Sequence, residues 1–492
     1  MTSPTAPTPF AGTPEEISER MPSGAQLADQ ALAAITASGI AFSTSLDDRN
    51  EFGRDWWPLA IGWAQSGIVP SRPAVIMRPS STEQVATVIK LAGELGLSVT
   101  AAAGRSGVCG GSIPLKGGIS LDLTAMSGLL GLDDHSLTAT FAAGTFGPEL
   151  EAELASHGFT LGHWPQSMDL STIGGWAACR GAGQFSTRYG KIEDLVLGLR
   201  VVLANGDVIT TGGRGPRQAV GPDITQIFLG SEGTLGVITE VTVRITPKPT
   251  HEARRAFSFD SFSDGLDACR RILRRGATPA VLRLYDEIES ERNFSISRCA
   301  LIVLDEADSV ILDATMAVVD HECAQATVED VALVERWMGH RNDVSALEPL
   351  WKAGVVVDTI EVAGSWSSLD HLCEAVLGSL RAMEATVLAS VHESHAYSDG
   401  ACLYFTFAGR PEADTMAARE AYYIAAWDAA QHAAIAAGAS LSHHHGVGIH
   451  RARFVDEALD GGLQILEKVK QALDPHHLLN PGKLGLPGST WP

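Results

Sequence analysis

Residues 97–124 read LSVTAAAGRSGVCGGSIPLKGGISLDLT, two strand-like runs with a glycine cluster between them. Upstream, AVIMRP (74–79) is an extended segment punctuated by Pro70, Pro73 and Pro79. SSTEQVATVIKLAGELG (80–96) carries apolar residues at Val85, Val88, Ile89 and Ala92, the spacing of one helix face. Ser81 or Thr82 can cap that helix through its hydroxyl. The order is strand, helix, strand, glycine loop, strand, which is an α/β opening. A glycine-rich turn after a strand lets backbone N–H groups approach a pyrophosphate closely. The GxGxxG of a Rossmann unit and the GxxxxGK[ST] of a P-loop are both absent, so a nucleotide here would need a different scaffold.

The pattern changes on either side of this stretch. Residues 137–248 read as short strands with turns: LTATFAAG, LVLGLRVVLANGDVITT and GVITEVTVRITP, the second containing the hairpin signal ANGD. From 249 to 440, long strands (RAFSFD, VLRLYD, ALIVLD, ACLYFTFAG) alternate with helical segments, a second α+β unit. Residues 1–66 read as a disordered Pro/Thr/Ser-rich tail over 1–15, then N-terminal helices with QLADQALAAITASG (26–39) the clearest. The expected division is therefore 1–66, a first domain over 67–248, a second over 249–440, and a C-terminal segment over 441–484.

Hydrophobic residues make up 45% and charged residues 19% of 492, the composition of a globular chain with a large core. The 36 Lys and Arg against 58 Asp and Glu leave a net charge of −22, which repels nucleic-acid backbones and anionic lipid. The seven cysteines are widely spaced and form no CxxC, so neither a disulfide scaffold nor a zinc site is expected. No signal peptide or membrane span is expected, which points to the cytoplasm. A small-molecule substrate and a homodimer are the partners this composition admits.

The 50 glycines concentrate at 104–111, 174–183, 211–215 and 230–236. One such cluster is most simply a turn, but several against strand-like runs suggest a ligand cradle. His443, His444 and His445 are adjacent, and neither a strand nor a helix puts three neighbours on one face. That argues against a metal site and for imidazoles lining a pocket, in proton transfer or anion binding. Arg283, between leucines, is either a snorkelling edge residue or a charge held for an anionic substrate. Tyr404 reads first as a core residue, and His340 and Arg341 as surface.

Taken together, AAAGRSGVCGG (101–111), PQSMDLSTIGGWAACRGAG (165–183), GSEGTLGVITEVTVRI (230–245) and LDPHHLLNPGKL (473–484) resemble the PCMH-type flavoproteins of the vanillyl-alcohol oxidase superfamily. With VLRLYDE, GACLYFTFAG and GASLSHHHGVG, the sequence is most similar to the alkyldihydroxyacetonephosphate synthases and their bacterial relatives. The resemblance implies a two-domain PCMH-type FAD-binding fold with an α+β cap domain. It implies pyrophosphate on the 101–111 loop, around Ala103, Gly104, Arg105, Ser106 and Gly107. Pro165, Ser167, Ser171, Thr172, Gly174 and Gly175 would wrap the flavin end. Arg180, Gly181, Ala182, Glu232, Gly233, Gly236, Val237 and Ile238 would complete the cradle. Tyr404, Arg283, His443, His444 and His445 would carry the chemistry. Covalent members attach the flavin to a histidine in the first glycine loop, where this chain has Gly104, Arg105 and Ser106. FAD is therefore expected to be non-covalent, with Cys109 and His163 the two residues that bear on a covalent link.

The sequence departs from the synthase pattern in two places. The synthase arginine that contacts substrate phosphate aligns with Leu347, and its acidic neighbour with Glu348. Trp164 stands where the synthase has an acid. Losing a fork-shaped donor removes a charge-assisted contact of about 1.5–3 kcal/mol. The expected function is thus an FAD-dependent oxidoreductase acting on a small hydroxylated substrate, a 2-hydroxy acid or alcohol. The alternative is an ether-forming transferase of the synthase type, using FAD without net redox.

Overall fold

The computed structural model describes residues 8–24, 26–213, 215–345, 347–488 and 491. The opening stretch folds as its pattern predicts. The helix Thr82–Leu95 is capped by Ser81, whose hydroxyl accepts from the Gln84 amide at 3.2 Å, and it ends at Gly96 in the left-handed conformation. The strands Val75–Arg78, Ile119–Asp122 and Val99–Ala102 pair in parallel in that order. The ANGD turn closes the antiparallel pair Val196–Val202 and Val208–Gly212, with Val202 opposite Val208. That pair joins Val237–Arg244, Thr138–Ala142 and Leu129–Asp133 in a five-stranded antiparallel sheet. The glycine loop 103–112 therefore leaves one end of the parallel sheet, and it lies against Leu170, Ser171 and Glu232.

The N-terminal region is more integrated than its pattern suggests. Residues 8–15, expected within a disordered tail, pack on the body. Thr8 is buried and its carbonyl accepts from Arg54, Phe10 lies under the Arg54 guanidinium, and the Ala11 amide donates to Ala64. The strand Ala41–Ser43 pairs antiparallel with Val75–Arg78 and becomes an edge of the first sheet. Residues 1–7 lie outside the described residues.

The cap is one seven-stranded antiparallel sheet. Its order is Thr327–Val328, His251–Phe259, Cys299–Ala307, Val281–Tyr285, Thr386–Ala396, Gly400–Gly409 and Val356–Ser365. One face is covered by the helices Phe262–Arg274, Ser309–Glu322, Leu369–Arg381 and Met416–Ala436, which bury Leu282, Leu284, Leu301, Val303, Leu403, Phe405 and Phe407 in the largest core cluster. Strand alternation then turns Arg283, His392 and Tyr404 to the opposite face, which looks toward the first domain. The sequence reading picked out the strand of Arg283 and that of Tyr404, but not Val356–Ser365 or Thr386–Ala396.

The C-terminal segment runs back to the first domain. Leu479 forms a parallel bridge with Val99, and the Asn480 amide donates to the Val99 carbonyl. Lys470, on the helix Gly462–Leu473, is buried. It donates to Asp474 Oδ2 at 2.5 Å and to the carbonyls of Thr234 and Leu479 at 2.7 and 2.8 Å. A Lys470→Met substitution would leave the Asp474 charge buried without its cation. It should cost about 3–5 kcal/mol, read as a fall in the urea midpoint of the purified protein.

Candidate active site

Four segments distant in sequence supply the polar face of the cap sheet. Arg283 Nη2 donates to His392 Nε2 at 2.6 Å, so the His392 proton sits on Nδ1 and is given to Glu289 Oε2 at 2.8 Å. Glu289 is buried, and its other oxygen accepts from Ser390 and Thr406 at 3.0 and 2.9 Å. Burial works against its charge, but His392 and Arg292 hold its carboxyl at about 2. Burial, opposed in part by Glu289, also lowers His392, keeping the imidazole neutral. Glu289 and His392 thus aim the Arg283 guanidinium. The snorkelling alternative for Arg283 does not hold, because its chain is turned into the protein.

Tyr404 lies on the neighbouring strand, its ring stacked on His392 with centroids 4.9 Å apart. Its hydroxyl accepts from Thr359 Oγ1 and meets His445 Nε2, each at 3.2 Å. The bland core reading of Tyr404 is therefore replaced by a polar placement. Behind His445 sits Glu361, with its Oε2 at 3.4 Å from His445 Nδ1. Glu361 Oε1 accepts from Ser442 Oγ and from the amides of His444 and His445, and Oε2 pairs with Arg451. Both partners of that pair are fully buried. Burial opposes the Glu361 charge, yet Arg451 and His445 hold its carboxyl well below the usual range.

Within the histidine run, His443 and His444 turn toward each other, contrary to the adjacency argument, while His445 turns away to Tyr404. His443 Nε2 meets the Tyr397 hydroxyl at 3.0 Å, and its Nδ1 lies 2.9 Å from His444 Nδ1. His445 goes to Tyr404. His395, from the Thr386–Ala396 strand, stacks on His443 with centroids 5.0 Å apart and meets Ser186 Oγ at 2.8 Å. Nitrogen atoms of His395, His443 and His444 lie within 4.8 Å of one another. Burial pushes His443 down to about 3 and lowers His395, His444 and His445 as well, so the cluster is neutral at pH 7.

The first glycine loop fits a dinucleotide. Among the described residues, no acceptor lies within hydrogen-bond range of the amides of Arg105, Ser106, Gly107 or Val108. Arg105 has φ +53°, and such a run of free amides around a left-handed residue is an anion nest. A methyl group at Gly107, Gly111 or Gly233 would make ordinary van der Waals contact, with Asp55 Oδ2, Glu232 Oε2 and the Ala101 side chain at 3.5, 3.5 and 3.6 Å. A methyl at Gly104 would lie 2.0 Å from the Leu170 carbonyl, which places the loop directly against the 165–175 segment.

Other expected cofactor residues make hydrogen bonds and packing contacts within the protein. The amides of Ile173, Gly174 and Gly175 already donate to Thr145, Ala143 and Thr172 Oγ1, so the helix they begin presents none of them to a ligand. Ser171 Oγ accepts from Trp176 Nε1 and donates to the Ser167 carbonyl, inside the turn that Pro165 opens. Arg180 is committed to Leu229 and Gln226, and the Arg105 guanidinium reaches back to the Glu51 carbonyl. Gly181 donates to the Trp176 carbonyl, and Ala182 is buried. Gly236 packs on Val201, and Val237 and Ile238 pair with Val202 and Val201. The Glu232 carboxylate accepts from the amides of Val447 and Gly448 at 2.6 and 2.8 Å, which ties the histidine segment to the first domain. His163 is buried against Trp176, and the buried Cys109 thiol is pushed up by desolvation.

Sequence reasoning missed Glu289, His392, His395 and Tyr397. Asp399-Gly400, a hairpin signal directly before the recognised Tyr404 strand, was the clue that a partner strand precedes it. Leu347, at the phosphate-arginine position, packs on the cap core.

A family model described as the FAD binding domain matches residues 73–212, and one described as FAD linked oxidases, C-terminal domain, matches residues 248–484. The FAD-linked oxidoreductase YgcU of Escherichia coli O157:H7 is 33% identical over 435 residues, spanning 84% of this chain and 89% of its own. A solved alkyldihydroxyacetonephosphate synthase superposes with a TM-score of 0.79 at 25% identity, covering 98% of this chain and 89% of that one. A p-cresol methylhydroxylase with substrate bound shares the fold, with a TM-score of 0.74 at 15% identity over 93% of this chain and 97% of that one.

The neutral histidines make stability depend on pH. A histidine lowered in the fold takes up its proton more readily when unfolded, so stability falls as pH drops from the ordinary value near 6.5 toward the folded value. Each such group adds a slope of up to about 1.4 kcal/mol per pH unit. The thermal midpoint should therefore fall steadily below pH 6.5. His443→Gln, which keeps a polar partner for Tyr397, should flatten that fall by one proton's share, measured by scanning fluorimetry across pH.

Proposed function

The chain belongs to the FAD-linked oxidase family, and from that premise we propose that it oxidises a small hydroxylated substrate, a 2-hydroxy acid or alcohol. One observation carries this reading. Arg283, a guanidinium aimed by a buried carboxylate and histidine, stands beside Tyr404, a hydroxyl backed by a neutral histidine and a second carboxylate. The first suits a substrate carboxylate and the second suits the removal of a hydroxyl proton. FAD, when bound, supplies a hydride acceptor at the flavin N5.

The residues divide the work as follows. Arg283 binds the carboxylate or oxyanion and orients the hydroxyl toward Tyr404. Burial raises the Tyr404 phenol above its ordinary value, so it does not ionise alone. It accepts the substrate proton as it passes its own to His445 Nε2. His445, lowered by burial against the pull of Glu361, is neutral and ready to take that proton, and the Glu361 charge then stabilises the imidazolium. His443, His444 and His395 close the pocket wall and exclude water. The free amides of Arg105, Ser106, Gly107 and Val108 would hold the FAD pyrophosphate, and non-covalent binding is supported by the buried positions of His163 and Cys109. The cytoplasm is the proposed location; among the described residues, no helix is long and apolar enough to cross a membrane.

A second reading, ether formation without net redox, is favoured by the likeness to the synthase structure and by the retained Tyr404, Arg283 and histidine run. The apolar, partly buried Leu347 counts against it, because no phosphate donor stands at that position.

Anaerobic mixing of the FAD-loaded protein with a panel of 2-hydroxy acids and alcohols separates the two. Bleaching of the flavin absorbance is the expected result. Exchange of an acyl chain for a fatty alcohol without bleaching would replace this reading by the second. Tyr404→Phe should slow bleaching about 10²-fold or more with FAD content unchanged. Acid precipitation should leave the flavin in the supernatant, whereas flavin retained in the washed pellet means a covalent link.

A further inference from the structure

Arg341, expected at the surface, is half-buried at the seam between the two domains. Its guanidinium carbon lies 5.2 Å from the Phe185 ring centroid, 5.7 Å from Trp164 and 5.9 Å from Trp337. Trp164 and Phe185 come from the first domain, and Trp337 from the cap helix Ala332–His340. A reciprocal pair fixes the residue: Nη1 donates to Gln184 Oε1 at 3.1 Å, and Gln184 Nε2 donates to the Arg341 carbonyl at 3.0 Å. The other guanidinium edge makes no hydrogen bond among the described residues.

Its charge is the unusual feature. The buried or half-buried Arg54, Arg188 and Arg451 each have a carboxylate within ion-pair distance. Arg341 has none among the described residues, although the chain carries a net charge of −22. Glu306 and Asp169 act on it only from longer range, and burial is the larger influence. A partly desolvated cation without a counter-charge is costly unless an anion completes it. Arg283 is a second inward-facing arginine with no carboxylate within ion-pair distance among the described residues, and its guanidinium lies 5.8 Å from the same Trp337 ring. One indole therefore carries both guanidiniums.

We propose that Arg283 and Arg341 form a two-point anion clamp across Trp337, and that the substrate carries a second acidic group, carboxylate or phosphate, remote from its reacting carbon. Naming the substrate class rests on the hydroxy-acid reading; the anion site at Arg341 does not. A guanidinium takes either group through two parallel N–H donors, and the aromatic walls keep water from competing. Arg341 supplies a cation that Leu347 cannot. It is a specificity-determining residue, with Gln184 as its positioning partner.

The test uses the FAD-loaded full chain as wild type, Arg341→Met and Arg341→Lys. Flavin reduction is followed with 2-hydroxy dicarboxylic acids, with phosphorylated 2-hydroxy acids, and with monocarboxylic 2-hydroxy acids of the same length. Calorimetry measures the binding of glutarate and of inorganic phosphate. Arg341→Met should raise the half-saturating concentration for one doubly charged class about tenfold more than for the monoacids, with Lys restoring only part. The class that responds identifies carboxylate or phosphate as the remote group. Equal losses for charged and uncharged tails would mean a structural role only and overturn the clamp, as would no loss at all. If no hydroxy acid reduces the flavin, the oxidoreductase reading falls, but calorimetry still decides the clamp. It then stands if Arg341→Met weakens glutarate or phosphate about tenfold, and fails if wild type and variant bind alike or not at all.

Discussion

The buried pair of Glu361 and Arg451 is the constraint around which the active side of the protein is built. Glu361 sits on the edge strand of the cap sheet and Arg451 on the C-terminal segment, and both are removed from water. A charge in that position is tolerable only when every lone pair is used. Glu361 meets that condition by accepting from Ser442, from two successive histidine amides and from Arg451. Satisfying the carboxylate therefore dictates the path of residues 442–451. That path delivers His445 to Tyr404 and His443 to Tyr397.

Glu232 repeats the device on the other side. Its carboxylate takes the amides of Val447 and Gly448, so the same short segment is anchored to both domains. A methyl on Gly448 would lie 2.1 Å from the Cys109 carbonyl, and the residue has φ +54°, so the chain there runs hard against the first glycine loop. Cofactor loop, histidine run and cap sheet are thus fixed relative to one another by hydrogen bonds to two carboxylates. The acidic balance of the chain is not spread evenly in effect. Glu232, Glu289 and Glu361 are used in positioning, while Arg283 and Arg341 have no carboxylate within ion-pair distance among the described residues.

Local pattern made much of the fold legible. Helical spacing at Val85, Val88, Ile89 and Ala92, the Ser81 cap and the ANGD turn all depend on neighbours within a few residues. The strand of Arg283 and the strand of Tyr404 could be recognised from alternation alone. The strand Thr386–Ala396 was harder, because Ser390, His392 and His395 serve the site and a register shift between Glu393 and His395 interrupts the alternation that marks a strand. The tail over residues 8–15 was misjudged for a related reason. Its Pro and Thr content signals weak self-structure, whereas its order comes from Arg54, a residue far along the chain.

By itself the sequence determined which residue types were present to hold a phosphate, an anion and a proton, because glycine loops, an arginine between leucines and a histidine run keep their chemistry wherever they fold. It could not determine which of them meet. Arg283, His392, Tyr404 and His445 are brought together by the antiparallel order of the cap sheet and by the return of the C-terminal segment. Glu289 chooses the His392 tautomer only once Arg283 is opposite it. Arg341 is a surface residue by pattern and becomes an enclosed cation only because Trp164 and Phe185 arrive from the other domain. Burial and long-range pairing set charge, tautomer and direction, and both are properties of the packed chain rather than of any stretch of it.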